Sequence, residues 1–281
     1  MGRIAAVSGG QQVIKSLEST PEEAPPAIVS EPPPPRSREP LLTLPAALTA
    51  YILLLAVIHL HVLLPDDLQT SIIELFGFIP KRYDTALPVA AFAGGEGAKF
   101  WTFITYSLLH ANLSHIGFNV LWLMPFGSAL ARRFGAARFF VFMAVTAISG
   151  ALAHLLSHEH ELAAMIGASA SVSGTMAACV RFAFVRGSFL SFNRGDAGAA
   201  AKVPAQPLRQ ALGDRRVLIF LAIWFGGNLI FGAGSIAVGM EEGTSVAWQA
   251  HIGGFLAGLL LFSLFDPVPR AAPDLAEQGR A

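Results

Sequence analysis

The stretch Val246-Ala247-Trp248-Gln249-Ala250-His251-Ile252-Gly253-Gly254-Phe255-Leu256-Ala257-Gly258-Leu259-Leu260-Leu261-Phe262-Ser263-Leu264-Phe265 decides the class of fold. It contains no Asp, Glu, Lys or Arg, and it has the roughly 20 residues a helix needs to cross the hydrocarbon of a bilayer. Working outward, five further apolar runs precede it, at about Leu44–Leu64, Leu108–Leu130, Phe139–Leu156, Ala163–Phe184 and Val217–Val238, with Arg181 near the end of the fourth. The expected fold class is an all-α membrane protein, a bundle of six transmembrane helices.

Composition agrees. Hydrophobic residues make up 53% of the 281 and charged residues 14%, against about 25% charged in a soluble domain. The net charge is zero and no basic block is present, which excludes nucleic acid as the main partner. The one cysteine, Cys179, lies in an apolar run and reads as a small packing residue. No cofactor is implied.

Charge placement tests the span count. If the N-terminus is cytoplasmic, the cytoplasmic segments hold sixteen Lys and Arg residues, and the outside loops hold only Lys81, Arg82 and Lys99. That excess satisfies the positive-inside rule, which an odd number of spans would break. Both termini are therefore expected inside. Residues 1–42, with Pro25, Pro26 and Pro32 to Pro35, are expected to form a disordered cytoplasmic tail. Residues 43–266 form the membrane domain, and 267–281 a second short tail. The N-terminus reads neither as a secretory signal nor as a mitochondrial presequence, and a bacterial plasma (inner) membrane is the expected location.

The loop from about Pro65 to Ser107 is long enough to be functional. Its second half, with Phe100-Trp101-Thr102-Phe103, is apolar enough for the membrane interface, where Trp101 and Tyr106 would sit comfortably.

Polar groups inside spans are costly there, so each is a functional candidate. Three clusters qualify. In His110-Ala111-Asn112-Leu113-Ser114-His115-Ile116-Gly117-Phe118-Asn119, His115 and Asn119 share a helical face. Interhelical hydrogen bonding explains that pair as well as chemistry does. In Gly167-Ala168-Ser169-Ala170-Ser171-Val172-Ser173-Gly174, Gly167 permits a turn that places Ser169 near a helix N-terminus, where a developing oxyanion is favoured. Taken alone, Ser169, Ser173 and Ala177 also read as a small-residue packing stripe. The third cluster has a stripe of its own, Ala250, Gly254 and Gly258, with His251 beside it. If the two stripes meet, His251 comes next to Ser169 or Ser173. Serine needs such a base, and His115 and Asn119 could supply oxyanion donors. With no acid evident in a span to orient His251, a Ser–His dyad is expected rather than a triad.

At these residues the sequence resembles the rhomboid family of intramembrane serine proteases, over about Phe100 to Asp266. His110, His115 and Asn119 fit the family's second-helix pattern. Gly167-Ala168-Ser169 fits its Gly-x-Ser, and Ala250-His251 with Gly254 and Gly258 fits its sixth-helix pattern. The resemblance implies Ser169 as nucleophile and His251 as base, with His115, Asn119 and the Ser169 N–H binding the oxyanion. It implies a site-shaping role for His110, Gly167, Gly254 and Gly258, a membrane-embedded first loop, and a cap formed by Glu241 to Ala250. Single-span membrane proteins would be its substrates. Ala170, Ser173, Thr102 and Ala131 stand where the family often has glycine, an aromatic, arginine and an acid. A non-catalytic, client-binding rhomboid-like protein is the alternative, although such relatives lack the Ser or the His. A small transporter is disfavoured, because neither an inverted repeat nor an intramembrane acid is evident. Of the other histidines, His59 and His61 are expected at the interface. His154, His158 and His160 lack the carboxylate or thiolate order of a zinc site, so no metal is expected.

Overall fold

The structure is a computed structural model that describes residues 44–88, 91–185, 188, 197–233 and 247–269. The expected N-terminal tail, all but three residues of the C-terminal one and residues 241–246 of the expected cap lie outside the described residues. The helices are α1 (Ala46–His59), α2 (Asp66–Phe76), α3 (Gly95–Thr105), α4 (Leu113–Phe134), α5 (Ala136–Ser157), α6 (Ser169–Cys179), α7 (Ala197–Ala201), α8 (Leu208–Ala211), α9 (Arg215–Ala233) and α10 (Trp248–Phe265). The described residues contain no strand; Phe78 and Met165 form a single antiparallel bridge.

Among the described residues, four segments are long and apolar enough to cross a membrane: Ala46–Leu63, which adds a 3-10 turn to α1, then α4, α5 and α10. Their outward faces carry large apolar side chains, among them Leu53, Val57, Leu121, Trp122, Val141, Leu260 and Leu264. So many exposed apolar groups are compatible with lipid around the bundle and not with water. The protein is an integral, multi-pass membrane protein.

The fourth expected span takes another form. The run from Ala163 to Phe184 is helical only over Ser169–Cys179. Eleven residues rise about 16 Å, half the roughly 30 Å of a bilayer core. Residues before Ser169 are drawn into extended backbone, where Met165 exchanges two hydrogen bonds with Phe78 and the Gly167 N–H donates to the Tyr106 carbonyl at 2.9 Å. Gly167 has φ +123°, a conformation that ends the extended segment and is strained for any residue with a Cβ. From Ala170 to Cys179 every residue of α6 is buried, so this short helix is the centre of the bundle.

Helices α10 and α5 enclose α6. A Cβ on Gly254 would land on the Ala170 carbonyl, and one on Gly258 on the Gly174 carbonyl. The two backbones thus lie in direct contact, as small-residue stripes allow. Ala170, where the family often has glycine, is accommodated because Gly150 of α5 faces it. A Cβ on Gly150 would approach the Ala170 Cβ to 2.5 Å.

The first loop has a core of its own. Phe78, Tyr83 and Phe103 pack ring on ring, with Tyr106 against Phe78. Tyr106 is therefore buried, not interfacial, and its hydroxyl donates to the Ala147 carbonyl at 2.8 Å. Trp101 stays partly exposed while its indole N–H donates to the Leu75 carbonyl at 3.0 Å. Thr102, which follows Trp101 where the family often has arginine, donates its hydroxyl to the Ala98 carbonyl. The loop's buried guanidinium comes from Arg82, which donates to the carbonyls of Glu74 and Gly77.

At the far end of α4, Arg133 is buried and clamps the bundle. Its Nε and one terminal nitrogen hold the Asp266 carboxylate at 2.8 and 2.9 Å. The other terminal nitrogen donates to the Ala201 and Val203 carbonyls. The guanidinium lies 4.4 Å from the Phe182 ring centre.

Candidate active site

Ser169 is the first residue of α6, where helix N–H groups have no intrahelical acceptor. Across the tight α6–α10 contact, His251 stands in the first turn of α10. Its Nε2 lies 2.8 Å from the Ser169 Oγ. Ser173, the other candidate partner, is buried one turn deeper along α6.

A group absent from the sequence reading completes the pair. Asn228 of α9 donates its amide N–H to the Trp224 carbonyl at 2.8 Å, one turn earlier on the same helix. That bond turns Asn228 Oδ1 toward His251, where it lies 2.5 Å from Nδ1. An amide oxygen only accepts, so His251 Nδ1 carries the proton and Nε2 presents its lone pair to the Ser169 hydroxyl. The arrangement is Ser–His–Asn, with a neutral orienting group where a triad often has a carboxylate. Asn228 was hidden because it is a lone polar residue in an apolar run, 23 positions from its partner. Its placement inside a span was the available signal.

The remaining expected residues belong to the start of α4, the segment just before it and the turn that leads into α6. Asn112 caps α4, its side chain accepting the His115 N–H at 2.9 Å. The His115 ring packs against Gly167; a Cβ there would come within 2.6 Å of His115 Nε2. Gly167 is thus required twice, for its positive φ and for this approach. Asn119 is buried and donates its amide N–H to the His115 carbonyl at 2.8 Å. Behind them His110 is fully buried, its ring 5.0 Å from that of His115, and the Ala168 N–H points at its Nε2 at 3.4 Å. Burial, with repulsion from His115 and His59, holds the His110 pKa down at about 3, so its ring is neutral. His59 and His61, expected at the interface, are packed inside the protein, with His59 against His110.

The fold and these residues define a class: a multi-pass membrane protein with a serine and a histidine paired between two closely packed helices. The rhomboid domain family model matches residues 97–266. The chain belongs to the rhomboid family. It is also similar to the rhomboid protease GlpG of Serratia proteamaculans (strain 568), 26% identical over 163 residues. That alignment covers 58% of this chain, and the chain spans about half, 47%, of the relative's length.

Proposed function

We propose that this protein is an intramembrane serine endopeptidase that cleaves peptide bonds in membrane-spanning segments. The observation that carries the reading is the 2.8 Å approach of Ser169 Oγ to a His251 whose other nitrogen is engaged by Asn228. In this reading six spans, with α6 and α9 as the fourth and fifth, place both termini in the cytoplasm. The site then opens to the outer side of a bacterial plasma membrane, and single-span proteins are the substrates.

The geometry supports a two-stage acyl transfer. Ser169 Oγ attacks the scissile carbonyl as His251 Nε2 takes its proton. In this reading the oxyanion meets the N–H groups at the start of α6, with His115, which packs against Gly167 two residues before Ser169, and Asn119 as further donors. Asn228 holds the tautomer and disperses charge from the imidazolium through the Nδ1–H bond. His251 then returns the proton to the leaving amine, and water enters to hydrolyse the acyl-enzyme by the same steps. A substrate helix presents its carbonyls only after local unwinding, so small or helix-weakening residues are favoured near the cut.

Labelling of the detergent-purified protein with a fluorophosphonate probe tests this. Labelling is expected in the wild type and lost in both Ser169→Ala and His251→Ala. A folded wild type that never labels overturns the reading in favour of a client-binding protein, and labelling that survives Ser169→Ala moves the nucleophile elsewhere.

A further inference from the structure

A second group of chemically capable side chains lies outside the Ser169 site, at the end of α5. His154 and His158 are one turn apart with their rings stacked 4.7 Å between centres. Glu161 turns back toward them, and one ligand atom from each of the three residues lies within 4.8 Å of the others. Glu161 Oε2 stands 3.6 Å from His154 Nε2. That is long for a hydrogen bond and near the roughly 3.4 Å edge of a tetrahedron of zinc ligands bound at about 2.0–2.1 Å.

The group is built, not incidental. His154 is 5% exposed, and Glu161 Oε2, the oxygen that faces His154 Nε2, is buried with no hydrogen-bond partner among the described residues. Unpartnered buried polar atoms are uncommon and call for a cause, an ion among them. The main chain of Glu161 is fixed on both sides, its N–H to the His158 carbonyl at 2.9 Å and its carbonyl to the Lys81 N–H at 3.0 Å. His158 has its own support: Nδ1 lies 2.9 Å from the Ser157 hydroxyl. His160, grouped with these histidines on sequence, faces Asp84 instead at 3.3 Å. The carboxylate that the sequence pattern lacked comes from Glu161, brought back by the turn.

We infer that His154, His158 and Glu161 bind one divalent transition-metal cation, Zn2+ by ligand type. Two imidazole nitrogens and one carboxylate suit zinc; Ca2+ and Mg2+ prefer all-oxygen sets. Three protein ligands leave a fourth position for water. Gln249, whose amide nitrogen lies 3.5 Å from His158 Nε2, borders the site two residues before His251. The cation would clamp the end of α5 to the loop that leads into Ser169, through backbone already tied to the first loop.

The test uses the full chain in detergent, stripped with a chelator and titrated with Zn2+ against a chromophoric indicator, then with Co2+ by visible absorption. One Zn2+ per chain is expected, with affinity at least tenfold weaker in Glu161→Gln and in His158→Ala. Co2+ is expected to give the visible bands of a tetrahedral site, lost in Glu161→Gln. Saturating Zn2+ raises the thermal midpoint of the wild type but not of Glu161→Gln, a conservative exchange that keeps the test valid if His154→Ala does not fold. Ser169→Ala and His61→Ala bind as the wild type does. Absent binding, or binding unchanged in Glu161→Gln and His158→Ala, overturns the inference. So does binding lost in Ser169→Ala, which would put the ion in the other site.

Discussion

The two ends of α4 and α10 are built on opposite principles. At the Arg133 end a buried cation meets a buried carboxylate through two parallel hydrogen bonds, and its remaining donors reach two carbonyls. At the Ser169 end the polar groups are neutral hydroxyl, imidazole and amide, held by single bonds between different helices. The first arrangement locks helices together and leaves nothing to react. The second leaves a lone pair and a proton in play, and it rests on the glycine contacts of α6 and α10 for its geometry. Rigidity and chemistry are thus separated along the length of the same helices.

The comparison breaks most sharply at Ser169. Ser169→Ala is expected to lower cleavage of a membrane-embedded reporter at least about a thousandfold, with the thermal midpoint unchanged. Equal loss of folding would mean the two ends are not separable. Arg133→Ala should do the reverse. Leaving Asp266 buried without its partner costs about 3–5 kcal/mol, read as a large drop in thermal midpoint while the folded fraction still labels with the serine probe.

Asn228→Ala sharpens the picture at an intermediate scale. It is expected to lower kcat about 10- to 100-fold with KM little changed, because the wrong His251 tautomer becomes populated. Asn228→Asp should recover part of the loss and alter the pH profile of kcat, which a purely structural role would not do. An unchanged kcat in Asn228→Ala would reduce the assembly to a dyad. The smallest effect expected is at His110. Its folded pKa lies below the ordinary histidine value, so the unfolded chain binds the extra proton. Its contribution to stability is complete above about pH 6.5 and is lost as pH falls toward 3. Thermal midpoints measured from pH 7 to 4 should fall less steeply in His110→Gln than in the wild type.

Much of this was legible in the sequence, and the limits have physical causes. Apolar length marked the membrane bundle, since lipid imposes it on any chain that crosses it. The small-residue stripe of α10 foretold the α6–α10 contact, although Gly254 and Gly258 meet Ala170 and Gly174 of α6 and not the row Ser169, Ser173 and Ala177. The brevity of α6 was not legible. Ala163 to Phe184 is apolar or small apart from its hydroxyls and Arg181, with nothing that marks a break, and whether such a run is helix or extended chain is decided by Phe78 and Tyr106, which bond to it from the first loop. Asn228 and the Arg133–Asp266 pair escaped for a related reason. Their partners are 23 and 133 positions away, and nothing local in the chain announces them. His59 and Tyr106 were assigned to the interface by residue type, and packing against His110 and Ala147 overrode it.

The Arg133 clamp also marks where the protein can be cut or extended. Asp266 is the residue immediately after α10, and its carboxylate also accepts the Val268 N–H at 3.1 Å. A truncation that stops at Phe265, or a tag joined there, removes the counter-ion of a buried arginine. One that begins after Val268 leaves the clamp whole. For anyone handling this chain in detergent, the usable C-terminal boundary is set by one side chain, and it lies three residues beyond Phe265, where the apolar run ends.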